Sequence, residues 1–151
     1  MASHSISQFT VLVLTTLIAA CSGGGSPPPT ATASVTVTSM QTVELKPGAG
    51  EALRAGHIAI VQYTGWLYEA GAKDHKGKQF DSSKSTGKPF RFPVGTGSVI
   101  KGWDQGVAGM KVGESRRLII PADRAYGDRG AEGVIPPGAT LVFDVDLLAI
   151  E

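Results

Sequence analysis

Residues 98–113 read SVIKGWDQGVAGMKVG, and this stretch decides the fold because it predicts a helix that cannot stand alone. Its apolar residues recur at the spacing that places them on one face of a helix: Ile100, Trp103, Val107 and Met110. Gly102 and Gly106 each cost about 1 kcal/mol relative to alanine, and so short a peptide is not helical in water. The helix, with Gly113 as its predicted C-cap, must therefore be held by a sheet packed against its apolar face.

The segments around the helix carry the signals of such a sheet. Five strands are predicted where β-branched and aromatic residues concentrate or alternate with polar ones: an alternating stretch before the turn at 46–48, and within residues 57–68, 88–97, 114–122 and 139–151. The polar, glycine-containing residues 69–79 are predicted to form a hairpin loop. Pro93 lacks an amide donor, so its strand lies at an edge or is bulged there.

The last predicted strand shows the clearest alternation. Its apolar residues all face one way: Leu141, Phe143, Val145 and Leu147. Asp144 and Asp146 face the other way, and we expect them, like the pair Arg116 and Arg117, to lie on a solvated face of the sheet. Five strands and one helix predict an α+β fold with an antiparallel sheet.

The N-terminal residues read as an export signal rather than as part of the fold. Residues 9–20, FTVLVLTTLIAA, are an apolar run of signal-peptide length, too short for a permanent membrane span. Cys21 follows directly, and LIAAC resembles the lipobox of bacterial lipoproteins, in which the cysteine is diacylated and becomes the new N-terminus. We therefore expect a signal peptide over 1–20 and a lipid on Cys21 that anchors the protein to a membrane.

Residues 21–39 are then expected to be a lipidated, flexible linker, because they contain no charge and are rich in Gly, Ser, Pro, Thr and Ala. One folded domain is predicted over 40–151. The resemblance to bacterial lipoproteins implies the outer membrane of a bacterial envelope, because Ser22, and not an aspartate, follows the cysteine. An ordinary secretory signal with a cysteine near its cleavage site stays open, since residues 1–8 lack the Lys or Arg of a typical export signal.

Composition excludes several classes of function. The net charge is +1 and no basic cluster is present, so nucleic-acid binding is not expected. Cys21 is the only cysteine, which rules out an intramolecular disulfide and a cysteine metal cluster. His57 and His75 are the only histidines after the signal, and without a GxSxG motif they predict neither a catalytic triad nor a metal site. The segment GTGSVIKG, residues 95–102, lacks the GK[ST] ending of a phosphate loop.

The aromatic residues point to a binding pocket instead. Most lie in short segments beside turns or at the ends of strands and the helix: VQYTG, QFDSS, KPFRF, IKGWDQGV, RAYGD and LVFDV. A core alone does not require that placement, whereas a shallow apolar pocket built from the ends of elements does. The sequence therefore predicts such a pocket, with Trp103 as its floor.

Four segments carry a family resemblance: YTGWL (63–67), FDSS (80–83), residues 88–127 and IPPGATLVFDVDLL (135–148). They resemble the FKBP-type peptidyl-prolyl cis-trans isomerases, the tacrolimus- and rapamycin-binding immunophilins. The resemblance implies an antiparallel half-barrel sheet of five to six strands wrapped around one short helix. It also implies an enzyme without a cofactor that acts on proline-containing polypeptides and binds macrolides, and we expect a monomer.

The resemblance also implies which residues form the site. The pocket walls and floor would be Tyr63, Phe80, Phe90, Val99, Ile100, Trp103, Tyr126, Ile135 and Phe143. Asp81 would be the one charged group inside. The backbone N–H of Ile100 and the hydroxyl of Tyr126 would donate hydrogen bonds to substrate carbonyls.

Two functions follow from these residues. The first is an anchored isomerase that speeds the folding of exported proteins. The alternative is a binding module, a chaperone or interaction protein whose pocket holds proline-containing segments and whose isomerase activity is incidental.

Overall fold

The computed structural model describes residues 37–131 and 133–151. Its six strands are β1 (Gln41–Lys46), β2 (Ile58–Tyr68), β3 (Lys76–Ser82), β4 (Phe90–Pro93), β5 (Ser115–Ile120) and β6 (Leu141–Ile150). The α-helices are α1 (Ser83–Thr86) and α2 (Lys101–Gly106), and single-turn 3-10 helices lie at Lys73–His75, Ala122–Arg124 and Gly127–Arg129.

The six strands form one antiparallel sheet in the order β1-β5-β6-β2-β3. β4 pairs with residues 58–61 of β2, next to the part of β2 that pairs with β3. The predicted α+β class with an antiparallel sheet is therefore confirmed. Among the described strands β4 pairs only with β2, so Pro93 lies on an edge strand as its missing amide donor requires.

The core lies between the sheet and α2. The predicted inward face of β6 is confirmed, because its four apolar residues are all buried: Leu141, Phe143, Val145 and Leu147. The apolar face of residues 98–113 supplies Trp103, Val107 and Met110 to the same core. These three side chains are buried, while Ile100 is half-buried at the end of the loop before α2.

The helix is shorter than predicted. α2 ends at Gly106 with Val107 as its C-cap, so Met110 reaches the core from the turn that follows, not from the helix. The prediction of Gly113 as the C-cap is therefore wrong; Gly113 has φ +87° and lies in the turn before β5. The spacing of apolar residues identified the buried face, but it could not locate the helix end.

Both glycines of α2 are required by the sheet behind them. A Cβ on Gly102 would overlap the side chain of Ile120, and a Cβ on Gly106 would lie 2.7 Å from Cδ2 of Leu118. Real Cβ atoms do not approach carbon so closely, so α2 can lie this near to β5 only with glycine at both positions. The two glycines therefore lower the intrinsic stability of the helix, but they allow it to pack closely against the sheet.

β3 corrects a second prediction. Residues 69–79 were predicted to be a loop throughout, but β3 begins at Lys76 and only 69–75 connect the strands. β3 is polar, with Phe80 half-buried and register shifts against β2 on both sides of Trp66. A short, bulged edge strand of this composition lacks the alternation by which strands are recognised in a sequence.

The outer face of the sheet is less solvated than predicted. The carboxylate of Asp144 accepts hydrogen bonds from Arg117 Nε at 2.7 Å and from Lys76 Nζ at 2.6 Å. Burial by itself raises the pKa of Asp144, but the hydrogen bonds from Arg117 and Lys76 outweigh that effect and hold the pKa below its ordinary value. Asp146 pairs with Lys84 and accepts a hydrogen bond from Ser115.

Arg116 and Arg117 are likewise half-buried and paired. Arg116 forms an ion pair with the buried Glu114, and its Nη1 donates to the carbonyl oxygen of Gly106 at 2.9 Å, at the end of α2. Neighbouring residues of a strand point to opposite faces of the sheet. Arg117 therefore pairs with Asp144 on the outer face, whereas Arg116 contacts the end of α2 on the other face. The expectation of a solvated arginine pair is therefore wrong.

The N-terminal predictions lie largely outside the described residues. The signal peptide, Cys21 and residues 22–36 of the linker belong to that part of the chain. Val37 is already buried, 8% exposed, against Ile119 and Val142. Within residues 37–131 and 133–151, no helix has the length and apolar character needed to cross a membrane.

The close approach of α2 to β5 gives a test. Gly102→Ala should lower the free energy of unfolding by about 1–3 kcal/mol, because the added methyl group overpacks against Ile120. On an exposed helix the same change would raise stability by about 1 kcal/mol. Denaturant titration measures the difference, with Lys101→Ala, an exposed change in the same helix, as the control. A stabilised Gly102→Ala protein would show that α2 has room to move away from the sheet.

Candidate functional site

A concave pocket opens beside the first turn of α2, and we call it the aromatic pocket. Its volume is about 440 Å³, and ten residues line it: Tyr63, Phe80, Asp81, Phe90, Ser98, Val99, Ile100, Trp103, Tyr126 and Phe143. Nine of these are residues that the sequence predicted for the site. Ser98 was not predicted; it lies in the loop that enters α2, and no feature of its type or spacing distinguished it.

Trp103 forms the floor of the aromatic pocket. The indole is 4% exposed, and its ring centroid lies 5.0 Å from that of Tyr63, 5.9 Å from Phe90 and 5.3 Å from Phe143. All three pairs are edge-to-face, the arrangement that the quadrupoles of aromatic rings favour. The rings therefore hold one another in fixed orientations around an apolar space.

Two further aromatic contacts complete the walls. Phe80 meets Phe143 edge-to-face at 5.6 Å, and Phe92 lies 5.4 Å from Trp103 behind the pocket. The pocket also depends on Gly65, where a Cβ would come within 2.8 Å of the rings of both Phe80 and Phe143. The glycine of the motif YTGWL thus leaves the space that these two rings occupy.

The hydroxyl and carboxylate groups of the pocket lie at its rim. Asp81 is the only charged residue in the lining and accepts a hydrogen bond from the hydroxyl of Tyr63 at 2.6 Å. It was predicted to lie inside, but it is exposed to solvent, because the bulged edge strand β3 places it at the margin. At the rim the carboxylate stays hydrated, which avoids the large free-energy cost of burying a charge.

The two tyrosines of the rim remain protonated at physiological pH. Burial first, and then the hydrogen bond to Asp81 and its negative charge, raise the pKa of Tyr63. Burial and the charge of Asp81 also raise the pKa of Tyr126, although its residue is 42% exposed. Both side chains are therefore neutral hydroxyls, and that of Tyr126 donates to no other group within the described residues.

A network of hydroxyls fixes the position of Tyr63 and Asp81. The backbone N–H of Tyr63 donates to Ser83 Oγ at 2.9 Å, and that hydroxyl donates to Gln62 Oε1 at 2.6 Å. The hydroxyls of Thr64 and Ser82 share a further hydrogen bond at 2.9 Å. The serines of the motif FDSS therefore join the end of β3 and the start of α1 to β2 directly below the rim, which explains their place next to Asp81.

Asp104 holds the loop that carries Val99 and Ile100. Its two carboxylate oxygens accept hydrogen bonds from the backbone N–H groups of Gly95 and Gly97, each at 2.9 Å. Both glycines have positive φ, +77° and +73°. Sequence reasoning missed this role, although an aspartate in the first turn of a helix beside a glycine-rich loop is a recognisable signal.

The Ile100 backbone amide is placed as a hydrogen-bond donor. Ile100 is the N-cap of α2, and its carbonyl oxygen accepts from the N–H of Trp103. Its own N–H donates to no other group in the part of the chain that the structure describes. The N–H group at the start of the helix is therefore available to donate a hydrogen bond to water or to a ligand.

Ile135 is not among the residues that line the aromatic pocket. It is buried in the core and lines a neighbouring hollow with the loop 129–137. Its backbone pairs with that of Ala131, so it supports the loop that follows Tyr126.

No group of three His, Cys, Asp or Glu side chains that could hold a metal ion occurs within the described residues.

Comparison with known proteins agrees with this geometry. Residues 49–148 match the family model described as FKBP-type peptidyl-prolyl cis-trans isomerase, which covers more than half of the chain. The chain belongs to this family. It is thereby placed among the peptidyl-prolyl cis-trans isomerases, which are enzymes.

Named relatives extend the comparison. The chain is 58% identical over 96 residues to peptidyl-prolyl cis-trans isomerase FPR2 of Saccharomyces cerevisiae, covering 64% of this chain and 67% of that protein. It is 47% identical over 107 residues to the FK506-binding protein of Neisseria meningitidis, covering 71% of this chain and 92% of the relative. Among solved structures it is similar to FkpA from Escherichia coli, with TM-score 0.64 and 38% identity, covering 76% of this chain and 49% of FkpA.

The loop held by Asp104 gives a test of how the site is positioned. Asp104→Ala should release the amides of Gly95 and Gly97 and lower the free energy of unfolding by about 1–2 kcal/mol. It should also lower kcat/KM for a proline-containing peptide, because Val99 and Ile100 lose their fixed positions. Asp104→Asn retains one acceptor oxygen and should lie between the two proteins. Equal kcat/KM in all three would contradict the positioning role of Asp104.

Proposed function

We propose that this protein catalyses rotation about X–Pro peptide bonds of exported polypeptides and so assists their folding. The observation that carries the proposal is the aromatic pocket itself, with Trp103 as a buried floor, rings edge-on around it and hydrogen-bond donors at its rim. A prolyl ring is a compact apolar group of the size that such a floor receives. We assign Trp103 as the residue on which that ring rests.

Rotation of this bond requires no chemical step with the protein. The barrier of about 18–20 kcal/mol comes from amide resonance, and the uncatalysed exchange takes tens to hundreds of seconds. In the transition state the amide is twisted, its resonance is lost and its carbonyl oxygen carries less charge. An apolar pocket favours that less polar state over the planar amide, and only such differential binding raises the rate.

The rim donors would hold the polypeptide while one carbonyl turns. We assign the N–H of Ile100 and the hydroxyl of Tyr126 to carbonyl oxygens on either side of the proline, since both are donors without a partner in the described residues. Because the polypeptide is held on both sides of the proline, rotation is confined to the X–Pro bond between the two hydrogen bonds. Asp81 accepts the hydrogen bond from Tyr63 and so fixes the orientation of that hydroxyl at the rim. Asp81 transfers no proton in this mechanism.

The same pocket is proposed to bind macrolides, since the Neisseria relative carries the name FK506-binding protein. We further propose that the protein acts as a monomer, because a single chain supplies all ten lining residues of the pocket.

Truncation of one wall tests the proposal. Phe90 is 39% exposed at the pocket mouth, so Phe90→Ala should leave the fold intact and lower kcat/KM for a neutral X–Pro peptide about tenfold. The assay follows cis-to-trans exchange by NMR line shapes, on the full-length chain. Val43→Ala, an apolar truncation at a similarly exposed position on β1 at the far edge of the sheet, is the control and should keep the full rate.

The alternative function has a distinct outcome in the same assay. A binding module would bind the proline peptide, with Phe90→Ala weakening that binding, while exchange stayed at the uncatalysed rate. Exchange at background in the unaltered protein would therefore overturn the isomerase proposal, and peptide binding measured by calorimetry would then favour the chaperone role.

We also propose that the protein is lipid-anchored in a bacterial envelope, on its outer membrane. The apolar run at 9–20, the sequence LIAAC ending at Cys21 and the uncharged residues 22–39 support this proposal. In a bacterial host, Cys21→Ser should move the protein from the membrane fraction to the soluble fraction and abolish incorporation of labelled palmitate. Ser22→Ala should retain both. Membrane retention of Cys21→Ser would overturn the anchor.

A further inference from the structure

Strands β3 and β4 pair with the same edge of β2, and a gap separates them. β4 pairs with residues 58–61 of β2, and β3 pairs with residues between 64 and 68. Gln62 and Tyr63 lie between these ranges, so within the described part of the chain they have no strand partner on this edge, although both pair with β6 on the other. The N–H and carbonyl groups that Tyr63 directs into the gap therefore need other partners.

Two serine hydroxyls take the place of the missing strand. The N–H of Tyr63 donates to Ser83 Oγ at 2.9 Å, and the carbonyl oxygen of Tyr63 accepts a hydrogen bond from Ser82 Oγ at 3.1 Å. The Ser83 hydroxyl donates in turn to Gln62 Oε1 at 2.6 Å. Ser83 is only 7% exposed, so water has little access to replace its contacts.

The short helix α1 brings Ser83 to the gap. It begins at Ser83 directly after β3 and leads toward β4. β3 carries Phe80 and Asp81, and β4 carries Phe90, so α1 connects two walls of the aromatic pocket. Through Ser83 this connection is fixed to β2 between the two strands.

Tyr63 links the gap to the site. Its ring centroid lies 5.0 Å from that of Trp103 and 5.9 Å from that of Phe90, and its hydroxyl donates to Asp81 at 2.6 Å. One side chain therefore contacts the floor, a wall and the rim of the aromatic pocket. The hydroxyl lies at the end of the side chain, so a rotation of the backbone at Tyr63 moves it farther than the ring atoms nearer to Cα.

We infer that Ser83 is a positioning residue for the isomerase and that it acts through Tyr63. Its hydroxyl stands in for a strand partner, holds the backbone of Tyr63 at the gap and so aligns the Tyr63 hydroxyl with Asp81. Ser83 is not among the residues that line the aromatic pocket, so it supports the site without contacting the polypeptide. This role rests on the proposed function, because it concerns the same pocket and the same reaction.

Ser83→Ala in the full-length chain tests this role. The change removes the acceptor of the Tyr63 N–H and adds no atom, so the protein should remain folded although it is less stable. We expect kcat/KM for a neutral Leu-Pro peptide to fall about fivefold. That factor corresponds to the net free energy of one hydrogen bond, here the one between Tyr63 and Asp81.

Ser85→Ala is the matched control. It makes the same substitution in α1, at an exposed serine whose hydroxyl donates to the carbonyl oxygen of Ser82 at 2.7 Å and forms no hydrogen bond with Tyr63. It should keep the full kcat/KM. Denaturant titration of both variants shows that they are folded under the conditions of the assay.

An NMR signal from Tyr63 separates positioning from a general loss of stability. The chain has three tyrosines, so ring-labelled tyrosine gives few signals, and Tyr63→Phe assigns that of Tyr63. Because this ring lies close to the indole of Trp103, its chemical shift depends on its position. Ser83→Ala should move the Tyr63 signal and leave that of Tyr68, at the end of β2, in place. Ser85→Ala should move neither.

The Tyr63→Phe background tests the route by which Ser83 acts. The hydroxyl is absent there, so adding Ser83→Ala should lower kcat/KM by no more than about twofold. An equal loss in both backgrounds would overturn the inference, because Ser83 would then act independently of the Tyr63 hydroxyl. A less stable Ser83→Ala protein with unchanged kcat/KM and an unchanged Tyr63 signal would also overturn it.

Failure of the inference is distinguishable from failure of the isomerase proposal. If the unaltered protein and Ser83→Ala isomerise the peptide equally, only the role of Ser83 is removed. If the unaltered protein does not isomerise the peptide, the affinity of the Leu-Pro peptide measured by calorimetry decides the role of Ser83 separately. Weaker binding by Ser83→Ala than by Ser85→Ala supports positioning, and equal binding overturns it.

Discussion

The close packing of α2 against β5 is the constraint on which the rest of the structure depends. Gly102 and Gly106 allow the helix backbone to lie directly on Ile120 and Leu118. That approach sinks the first turn of the helix into the concave side of the core and leaves Trp103 almost fully buried as a floor. A helix held farther from the sheet would leave a deeper space under the indole, and the edge-to-face contacts with Tyr63, Phe90 and Phe143 could not form together.

Different contacts hold the apolar and the polar parts of the site. Its rings are locked by one another and by Gly65, whereas Phe90 and Tyr126 at the mouth are substantially exposed. The segments beside it are held by polar contacts: Asp104 closes residues 95–97, and the hydrogen bonds of Ser83 join the start of α1 to β2 at Tyr63. Such a division suits a reaction in which the prolyl ring must be held firmly while flanking residues of the polypeptide vary.

Much of the fold could be predicted from local patterns, and the exceptions share one physical cause. The alternation in β6 and the apolar spacing at 100–110 identified the buried faces because burial is periodic in both kinds of element. β3 was missed, α2 was predicted too long, and the arginine pair was expected on a solvated face. In each case a specific contact decides the outcome: pairing with β2 orders the polar, bulged strand β3, the turn after Gly106 carries Met110 to the core, and Asp144 and Glu114 pair with Arg117 and Arg116.

The amino-acid sequence alone determined the fold class, the aromatic identity of the pocket and nine of its ten lining residues, because composition and family motifs are local properties of the chain. The tertiary structure decided the depth and charge of the site. It placed Asp81 at the rim instead of inside, and it buried Ile135 in the core under the loop that follows Tyr126 instead of in the wall of the aromatic pocket. Distances between side chains far apart in sequence depend on strand pairing and loop closure, and no periodicity records them.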